Sequence, residues 1–281
     1  MASQGRNRLT ITLRKDLLPL VDSLVDGTTI RNRSHAIEYV LSQHLGPKFH
    51  HALILAGGEG VKLRPFTYEL PKSMIPVKGR PILEYVVDLL REYGFRKITL
   101  LTGHLGDKIQ QHFGDGSKFG VQIDYIEEKG TVGTAGALRA ARGHFKDTFL
   151  LIYGDVLADL NLRDFVDFHS SHNGIVTTAV TTVADPSGFG VVRLHGPQIV
   201  DYVEKPDEGT QRSHIVSAGI HVMEPEIFAE LPNRSPASLE RDVFPRLARK
   251  NKLVGYPFEG QWFDVSTPEV YERVIKEWQQ E

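Results

Sequence analysis

Glycines and lysines with a distinctive spacing follow a short apolar stretch at residues 52–56, which suits a buried parallel strand. In chain order they are Gly57, Gly58, Gly60, Lys62 and Lys72. Glycine lets backbone N–H groups approach an anion without hindrance from a Cβ atom, and lysine side chains neutralise phosphates. The segment therefore predicts a loop that holds a nucleoside triphosphate.

Two familiar phosphate-binding loops do not match this spacing. A Walker A loop needs G-x-x-x-x-G-K-[ST], which the segment lacks. The dinucleotide-binding fingerprint needs a third glycine where this chain has Leu63. The loop is therefore of another type.

A carboxylate at the end of a strand is a second candidate for chemistry. Residues 150–153 are apolar and lead into Gly154 and Asp155. An aspartate in this position suits Mg²⁺ bound between phosphates. Because this pattern is common, its meaning depends on the elements around it.

The elements that must position these groups alternate between strands and helices. We expect strands near residues 52–56, 97–102, 122–126 and 149–153, and helices near residues 82–93, 107–113, 135–141 and 162–172. This order predicts a Rossmann-like, doubly wound α/β sheet. Since ligands of such sheets bind beyond the carboxyl ends of the strands, Gly57, Glu128 and Asp155 should meet in one crevice. Further strands are expected near residues 175–183, 190–194, 199–203 and 215–223, and helices near 238–249 and 268–278.

The glycine-rich segment resembles the signature of the sugar-phosphate nucleotidyltransferases, G-G-x-G-T-R-L-x-P-x-T-x-x-x-P-K-x-M-x-P-V. The positions that match are Gly57, Gly58, Gly60, Leu63, Pro65, Thr67, Pro71, Lys72, Met74, Pro76 and Val77. Val61 and Lys62 replace the usual Thr and Arg. Lysine keeps the charge but lacks the planar fork that grips a phosphate with two hydrogen bonds. The resemblance extends to about residue 271 and implies the nucleotidyltransferase fold, a mixed sheet.

Further motifs match the same family and imply roles for their residues. They are the E-x-x-x-L-G-T-A-G loop at residues 128–136, the V-E-K-P motif at residues 203–206 and the W-x-D-x-G-T-P-E motif at residues 262–269. The resemblance implies catalytic Lys62 and Lys72, and Asp155 and Asp264 as ligands of Mg²⁺. It implies a nucleotide site at Leu55, Ala56, Gly57, Gly58, Gly60, Glu128, Gly133 and Thr134, and a sugar-phosphate site at Gly154, Gly190, Glu204, Lys205 and Ser217. Ser217 stands where the family commonly has Asn, and Ser266 where it has Gly. Residues beyond 175 are expected to form a lobe on the sugar side.

The resemblance also implies a reaction. A sugar 1-phosphate attacks the α-phosphate of an NTP and gives NDP-sugar and pyrophosphate. The loop at residues 128–137 and the segment at 238–242 look most like guanylyltransferases for mannose 1-phosphate or heptose 1-phosphate. Two alternatives remain open: a UTP- or dTTP-dependent glucose-1-phosphate transferase, and a DNA-binding regulator whose transferase-like domain senses a sugar nucleotide.

The first residues predict a separate module with the order strand, helix, helix. Residues 8–14 alternate apolar and polar, residues 15–25 have helical spacing, and a second helix begins near Ser34 and ends before Gly46. About forty residues with one strand cannot close a core alone, so we expect a homodimer through this module. It resembles the ribbon-helix-helix family, which implies that the strands of two chains pair antiparallel and enter the major groove of DNA. The candidate DNA contacts are Arg8, Thr10, Thr12 and Arg33. Dimerisation alone and dimerisation with DNA binding both remain open, and the predicted domains are residues 1–47 and 51–281.

Composition and charge agree with two parts that have different partners. Residues 1–50 carry seven Lys and Arg against four Asp and Glu, and the rest of the chain carries 26 against 31. There are no cysteines, and the twelve histidines show no metal-ligand spacing. No apolar run of about 18 residues and no signal-peptide pattern occur, so we expect a cytoplasmic protein without a membrane partner.

Overall fold

The computed structural model describes residues 10–25, 30–45, 49–128, 130–207, 209–210 and 212–279. The chain divides into two compact units, Met1–Lys48 and Phe49–Glu281. Within the described residues, no helix is long and apolar enough to cross a membrane.

The first unit contains two helices, α1 (Leu18–Ser23) and α2 (Arg33–Leu45). The second helix, expected to begin near Ser34, begins at Arg33, and the side chain of Asn32 caps it by accepting the backbone N–H of His35 at 3.0 Å. Residues 10–14, predicted as part of a strand, form no strand here. A strand exists only through its hydrogen-bonded partner, which in the ribbon-helix-helix family comes from a second chain.

The second unit carries the strands. They are β1 (His51–Ala56), β2 (Pro76–Val77), β3 (Arg80–Pro81), β4 (Lys97–Thr102), β5 (Gln122–Glu127), β6 (Phe149–Tyr153), β7 (Val156–Ala158), β8 (Val176–Thr182), β9 (Gly190–His195), β10 (Gln198–Glu204), β11 (Ile215–Met223), β12 (Leu253–Pro257) and β13 (Trp262–Asp264).

The helices of this unit lie between the strands along the chain. They are α3 (Phe66–Glu69), α4 (Ile82–Glu92), α5 (Gly106–Phe113), α6 (Gly133–Ala140), α7 (Leu162–Ser170), α8 (Ile227–Glu230), α9 (Phe244–Arg249) and α10 (Pro268–Glu277). Short 3₁₀ turns occur at Val61–Leu63, Lys72–Met74, Ser117–Phe119 and Arg142–His144. The single helix expected at residues 238–249 is instead a π-helical turn, Leu239–Val243, followed by α9.

One nine-stranded sheet runs through the unit in the order β5-β4-β1-β6-β11-β8-β12-β10-β9. The pairs β5–β4, β4–β1 and β1–β6 are parallel, whereas β11 is antiparallel to both β6 and β8. The mixed α/β sheet expected from the sequence is present. The strands beyond residue 175, expected on the sugar side, join the same sheet through the pairing of β11 with β6.

Two apolar layers cover this sheet, one on each face. Ile54 of β1 packs in a cluster with Leu83 of α4, whereas its neighbour Leu53 packs with Leu138 of α6 in the other cluster. Successive side chains of a strand point to opposite faces, so a strand buried on both sides is apolar throughout. The sheet is therefore packed on both faces. β1 lies between β4 and β6, with its carboxyl end at the crevice where the order of the strands reverses.

Candidate active site

The glycine loop after β1 is held against Lys72. Gly60 has a φ of +62°, which favours glycine. A Cβ atom at this position would lie 2.8 Å from Thr67 Cγ2 and 3.0 Å from Lys72 Cβ. The Thr67 hydroxyl donates a hydrogen bond of 2.9 Å to the Gly60 carbonyl. The loop is thus closed over the lysine.

A second close approach fixes the start of the same loop. A Cβ atom on Gly103, which follows β4, would lie 2.7 Å from the carbonyl oxygen of Gly57. His104 donates its backbone N–H to that carbonyl at 3.3 Å. The loops that follow these two neighbouring strands therefore touch directly.

Lys72 forms the centre of a buried charge cluster with two aspartates. Its Nζ contacts Asp155 Oδ2 and lies 3.9 Å from Asp264 Oδ1. Burial acts to lower the pKa of Lys72, but the two negative charges outweigh it and the pKa is raised. Burial, followed by repulsion from Asp155, raises the pKa of Asp264. One cation thus balances two carboxylates that face each other.

The aspartates meet because their strands are linked. Asp155 follows β6 and precedes β7, and Asp264 ends β13, which pairs with β7. Val265 donates its backbone N–H to the Asp155 carbonyl at 3.0 Å. Residues separated by more than a hundred positions are therefore neighbours.

Two cavities open on either side of this cluster. The larger, about 700 Å³, is lined by the glycine loop, the loop before α6 and Glu128. The smaller, about 540 Å³, is lined by Glu204 and Lys205 of the V-E-K-P motif, by Ser217 and by the π-helical turn. The two share the lining residues Gly60, Val61, Lys72, Gly133, Thr134, Tyr153 and Asp155. Lys72 and Asp155 thus stand at the junction.

Glu128 is a half-buried carboxylate in the larger cavity. Its Oε2 lies so close to Gly57 that a Cβ atom there would be 2.1 Å away. Burial raises the pKa of Glu128, and a hydrogen bond from the Val132 backbone acts against this. An ionised carboxylate at this position offers only hydrogen-bond acceptors to a ligand.

Glu204 and Lys205 lie at the end of β10 in the smaller cavity. Lys205 has a φ of +48°, an uncommon conformation for a side-chain-bearing residue, and its N–H donates to the Phe189 carbonyl at 2.9 Å. Burial, then the charge of Glu240, raises the pKa of Glu204. A strained backbone at a cationic side chain is a pattern that clusters at ligand sites.

The two cavities together are lined by every site residue singled out from the sequence for the larger domain. Those in the larger cavity are Leu55, Ala56, Gly57, Gly58, Gly60, Glu128, Gly133, Thr134 and Gly154. Those in the smaller are Lys62, Gly190, Glu204, Lys205, Ser217 and Asp264. Gly154, expected at the sugar phosphate, lines the larger cavity instead. Lys62 is exposed, with its side chain on the smaller cavity.

The candidate DNA contacts are not brought together in the same way. Arg8 lies outside the described residues, and Thr10 and Thr12 are exposed. Arg33 donates two hydrogen bonds, of 2.6 and 2.7 Å, to the carboxylate of Asp22. Its charge is thus already paired within the unit.

Several cavity residues were given no role by the sequence analysis. They are Tyr153, Tyr202, Glu240, Arg241 and Trp262. Glu240 accepts hydrogen bonds from the hydroxyls of Thr134 at 2.7 Å and Ser238 at 2.6 Å. Glu240 lies in the segment 238–242, whose resemblance bears on the substrate class and gives no role to any single residue.

Asp155 and Asp264 offer a divalent cation a buried carboxylate oxygen that makes no hydrogen bond. Asp264 Oδ1 is buried and has no hydrogen-bond partner. Within the described ranges no group of three or more His, Asp or Glu side chains is placed to hold a metal. A pair of carboxylates is nevertheless the donor set with which Mg²⁺ is often bound beside substrate phosphates.

A family model described as nucleotidyl transferase matches residues 51–281, and the chain belongs to this family. It is 34% identical over 226 residues to a mannose-1-phosphate guanylyltransferase of Mycobacterium tuberculosis, a match that covers 79% of this chain and 62% of that protein. It is also 34% identical over 245 residues to a UTP–glucose-1-phosphate uridylyltransferase of Synechocystis sp., covering 80% of this chain and 62% of that protein. The chain thus spans less than two thirds of the length of these relatives.

A solved structure has the same fold. It is a Bacillus anthracis protein assigned as a glucose-1-phosphate thymidylyltransferase and solved in complex with a sucrose, and it superposes with a TM-score of 0.74 at 26% identity. The match covers 80% of this chain and 94% of that one.

Proposed function

We propose that this protein transfers a nucleotidyl group from an NTP to a sugar 1-phosphate, giving NDP-sugar and pyrophosphate. The observation that carries the proposal is the junction of two cavities at Lys72 and Asp155. The larger cavity has the glycine loop that suits a triphosphate, and the smaller has a lysine and acceptor groups that suit a sugar phosphate. The reacting phosphates would meet where the cavities join.

The reaction needs positioning more than proton transfer. A phosphate oxygen of the sugar 1-phosphate forms a bond to the α-phosphorus, and the bond between the α-phosphorus and the oxygen that bridges it to the β-phosphate breaks. The nucleophile is ionised at neutral pH, so no general base is required. The difficulty is to bring two anions together, and cationic side chains at the junction lower that barrier.

Three lysines at different positions would each contact a different phosphate. Lys72, between the cavities, would contact the α-phosphate, and Lys62 would cover the outer phosphates. Lys205 would hold the sugar phosphate from the other side. Asp155 and Asp264 would hold Mg²⁺, which supplies charge neutralisation to the phosphates when it is bound.

Glu128 favours GTP among the nucleotides. Guanine presents two adjacent donors, N1–H and N2–H, which a carboxylate accepts together. Uracil and thymine present one N–H between two carbonyl groups, and the carbonyl oxygens repel a carboxylate. GTP is therefore the nucleotide we propose, with mannose 1-phosphate or a related manno-configured sugar, in agreement with the M. tuberculosis relative.

The test is pyrophosphate release with Mg²⁺ from each nucleoside triphosphate, paired with mannose, glucose, N-acetylglucosamine and heptose 1-phosphates. We expect turnover with GTP and mannose 1-phosphate or a close relative of that sugar. Turnover with UTP or dTTP and glucose 1-phosphate would keep the reaction and replace the substrates, as for the Synechocystis relative. No turnover by folded protein with any pair would contradict the proposal and favour a sensor of sugar nucleotides.

For the first unit we propose pairing with a second copy. Ala36 is the one buried apolar residue among its described residues, whereas Ile11, Leu20 and Leu41 are 45%, 63% and 49% exposed. A unit this small closes a core by self-association. Sedimentation of the full wild-type chain should show a dimer, and Leu20→Glu should weaken it. A wild-type chain that sediments as a monomer would contradict the proposal. A mobility shift with DNA at low salt would separate dimerisation alone from dimerisation with DNA binding.

A further inference from the structure

Glu240 is a cavity carboxylate whose orientation is fixed by hydroxyl groups. Thr134 and Ser238 donate hydrogen bonds to its Oε2, at 2.7 and 2.6 Å, and the Tyr153 hydroxyl donates to its Oε1. An ionised carboxylate has about four acceptor positions. Among the described residues these three hydrogen bonds leave one position, on Oε1, for a ligand.

The residues that hold Glu240 also define where it stands. Thr134 and Tyr153 line both cavities, and Glu240 itself lines the smaller one. Leu239, beside Glu240, donates its N–H to the Thr134 hydroxyl at 2.8 Å. Glu240 therefore forms part of the wall at the boundary between the two cavities, on the sugar side.

A second carboxylate shares this cavity. Glu204 lines it, its side chain is 13% exposed, and it forms an ion pair with Lys205 at 3.7 Å. Glu240 lines the same cavity, and its charge is, after burial, the largest contribution to the raised pKa of Glu204. Two acceptor groups in one cavity suit a ligand that offers several hydroxyl donors.

We propose that Glu240 is a specificity-determining residue that accepts a hydrogen bond from one sugar hydroxyl, separate from the hydroxyl that Glu204 accepts. The inference rests on the proposed function, because it takes a sugar 1-phosphate as the ligand of the smaller cavity. The ligand class is a sugar 1-phosphate with two free hydroxyls within reach of the two carboxylates. A sugar that lacks either hydroxyl should bind more weakly.

The test combines variants of the protein with analogues of the sugar. Calorimetry would measure binding of mannose, glucose, N-acetylglucosamine and heptose 1-phosphates in the presence of α,β-methylene GTP, which cannot release pyrophosphate. For the sugar that binds, each monodeoxy analogue is then compared on the wild type, Glu240→Gln and Glu204→Gln. Such a set isolates the coupling between one side chain and one hydroxyl.

We expect Glu240→Gln to weaken sugar 1-phosphate binding about 10-fold, as for a lost charge-assisted hydrogen bond. Removal of one particular hydroxyl should weaken wild-type binding about 10-fold and Glu240→Gln binding less than about 2-fold. A different hydroxyl should couple to Glu204. Affinity for the GTP analogue alone should stay within about 2-fold, which a merely structural loss of the Thr134 contact would not allow.

Glu224→Gln is a matched control. Glu224 also accepts a threonine hydroxyl, from Thr148 at 2.8 Å, and a histidine, but it lines neither cavity. It should leave all sugar affinities unchanged. If Glu240→Gln does not fold, Glu240→Asp is compared in the same way. Aspartate keeps the charge, but its side chain is one methylene group shorter, so its carboxylate lies further from the ligand.

Two results would overturn the inference. If the wild type binds a sugar 1-phosphate and Glu240 couples to no hydroxyl, the inference alone fails. If the wild type binds none of the sugar 1-phosphates with the GTP analogue or with the matching UTP and dTTP analogues, the inference and the proposed function fail together.

Discussion

Gly60 packs directly against Lys72: a Cβ atom at position 60 would lie 3.0 Å from the Cβ of the lysine. The glycine thereby sets the distance between the loop and the lysine that contacts Asp155. Because catalysis is sensitive to displacements of about 1 Å, this packing should be needed for the loop and the lysine to hold the same phosphate.

The first prediction is that Gly60→Ala lowers kcat on the order of 10²-fold, because the added methyl group must push Lys72 or Thr67 away. Gly79→Ala is the control, since Gly79 also has a positive φ, +84°, but no atom within 4 Å of its Cβ position. Both variants should lose about 1 kcal/mol of stability from backbone strain. Equal kcat values in the two variants, measured at matched folded fraction, would contradict the role of the contact.

The second prediction concerns the charge balance at the junction. Lys72→Met should lower the free energy of unfolding by about 3 kcal/mol, because two buried carboxylates then face each other without a cation. Mg²⁺ should restore much of this loss, so the rise in Tm with added Mg²⁺ should be larger in Lys72→Met than in the wild type. Differential scanning calorimetry with and without Mg²⁺ measures both effects.

Lys250→Met is the control for that experiment. Lys250 pairs with Glu230 at 2.8 Å at the surface, with the lysine side chain 53% exposed. Its loss should cost less than about 1 kcal/mol and give no Mg²⁺ response. A Mg²⁺ response that persists in Lys72→Met with Asp264→Asn would refute the assignment of the two aspartates.

The third prediction follows from the backbone of Lys205. Replacement by glycine should relieve the strain of its φ of +48° and raise stability by about 0.5–1 kcal/mol, while the loss of charge raises KM for the sugar 1-phosphate. Asn251→Gly is the control, because Asn251 has a φ of +54° at an exposed position outside both cavities. It should gain less stability, because asparagine adopts this conformation more readily than lysine, and it should show no change in KM. Unchanged KM in Lys205→Gly would remove this lysine from the sugar-phosphate site.

The fourth prediction is a loss of stability in acid that depends on His221. Burial lowers its pKa to about 3, whereas the unfolded chain has a pKa of about 6.5. Below pH about 6.5 the unfolded chain therefore binds a proton at His221 that the folded chain does not bind. The free energy of unfolding is therefore unaffected by this histidine above pH about 6.5 and decreases as the pH falls towards 3. The slope is at most about 1.4 kcal/mol per pH unit for one group.

Urea unfolding between pH about 6 and 4.5 tests this. His221→Gln should show a shallower dependence of unfolding free energy on pH than the wild type. His195→Gln, at an exposed position, should match the wild type. Identical slopes for all three proteins would show that His221 is not held neutral.

The parallel half of the sheet was predictable because its signals are local. Residues 97–102 and 149–153 are apolar runs of strand length, and the strands β4 and β6 occupy those positions. Glu240 was not predictable, because its partners Thr134 and Tyr153 lie 106 and 87 positions away. The segment of Glu240 is held against that of Thr134 by backbone hydrogen bonds of Ala237 to Val132 and Ala135, which no periodicity in the sequence encodes.

The most direct test of the central claim is the product formed from GTP and mannose 1-phosphate by the wild type and by Asp155→Asn, identified by mass spectrometry. We expect the wild type to give GDP-sugar and pyrophosphate in equal amounts, and Asp155→Asn to be slower by on the order of 10²-fold or more. Pyrophosphate formed without GDP-sugar, or equal rates for the two proteins, would contradict the account.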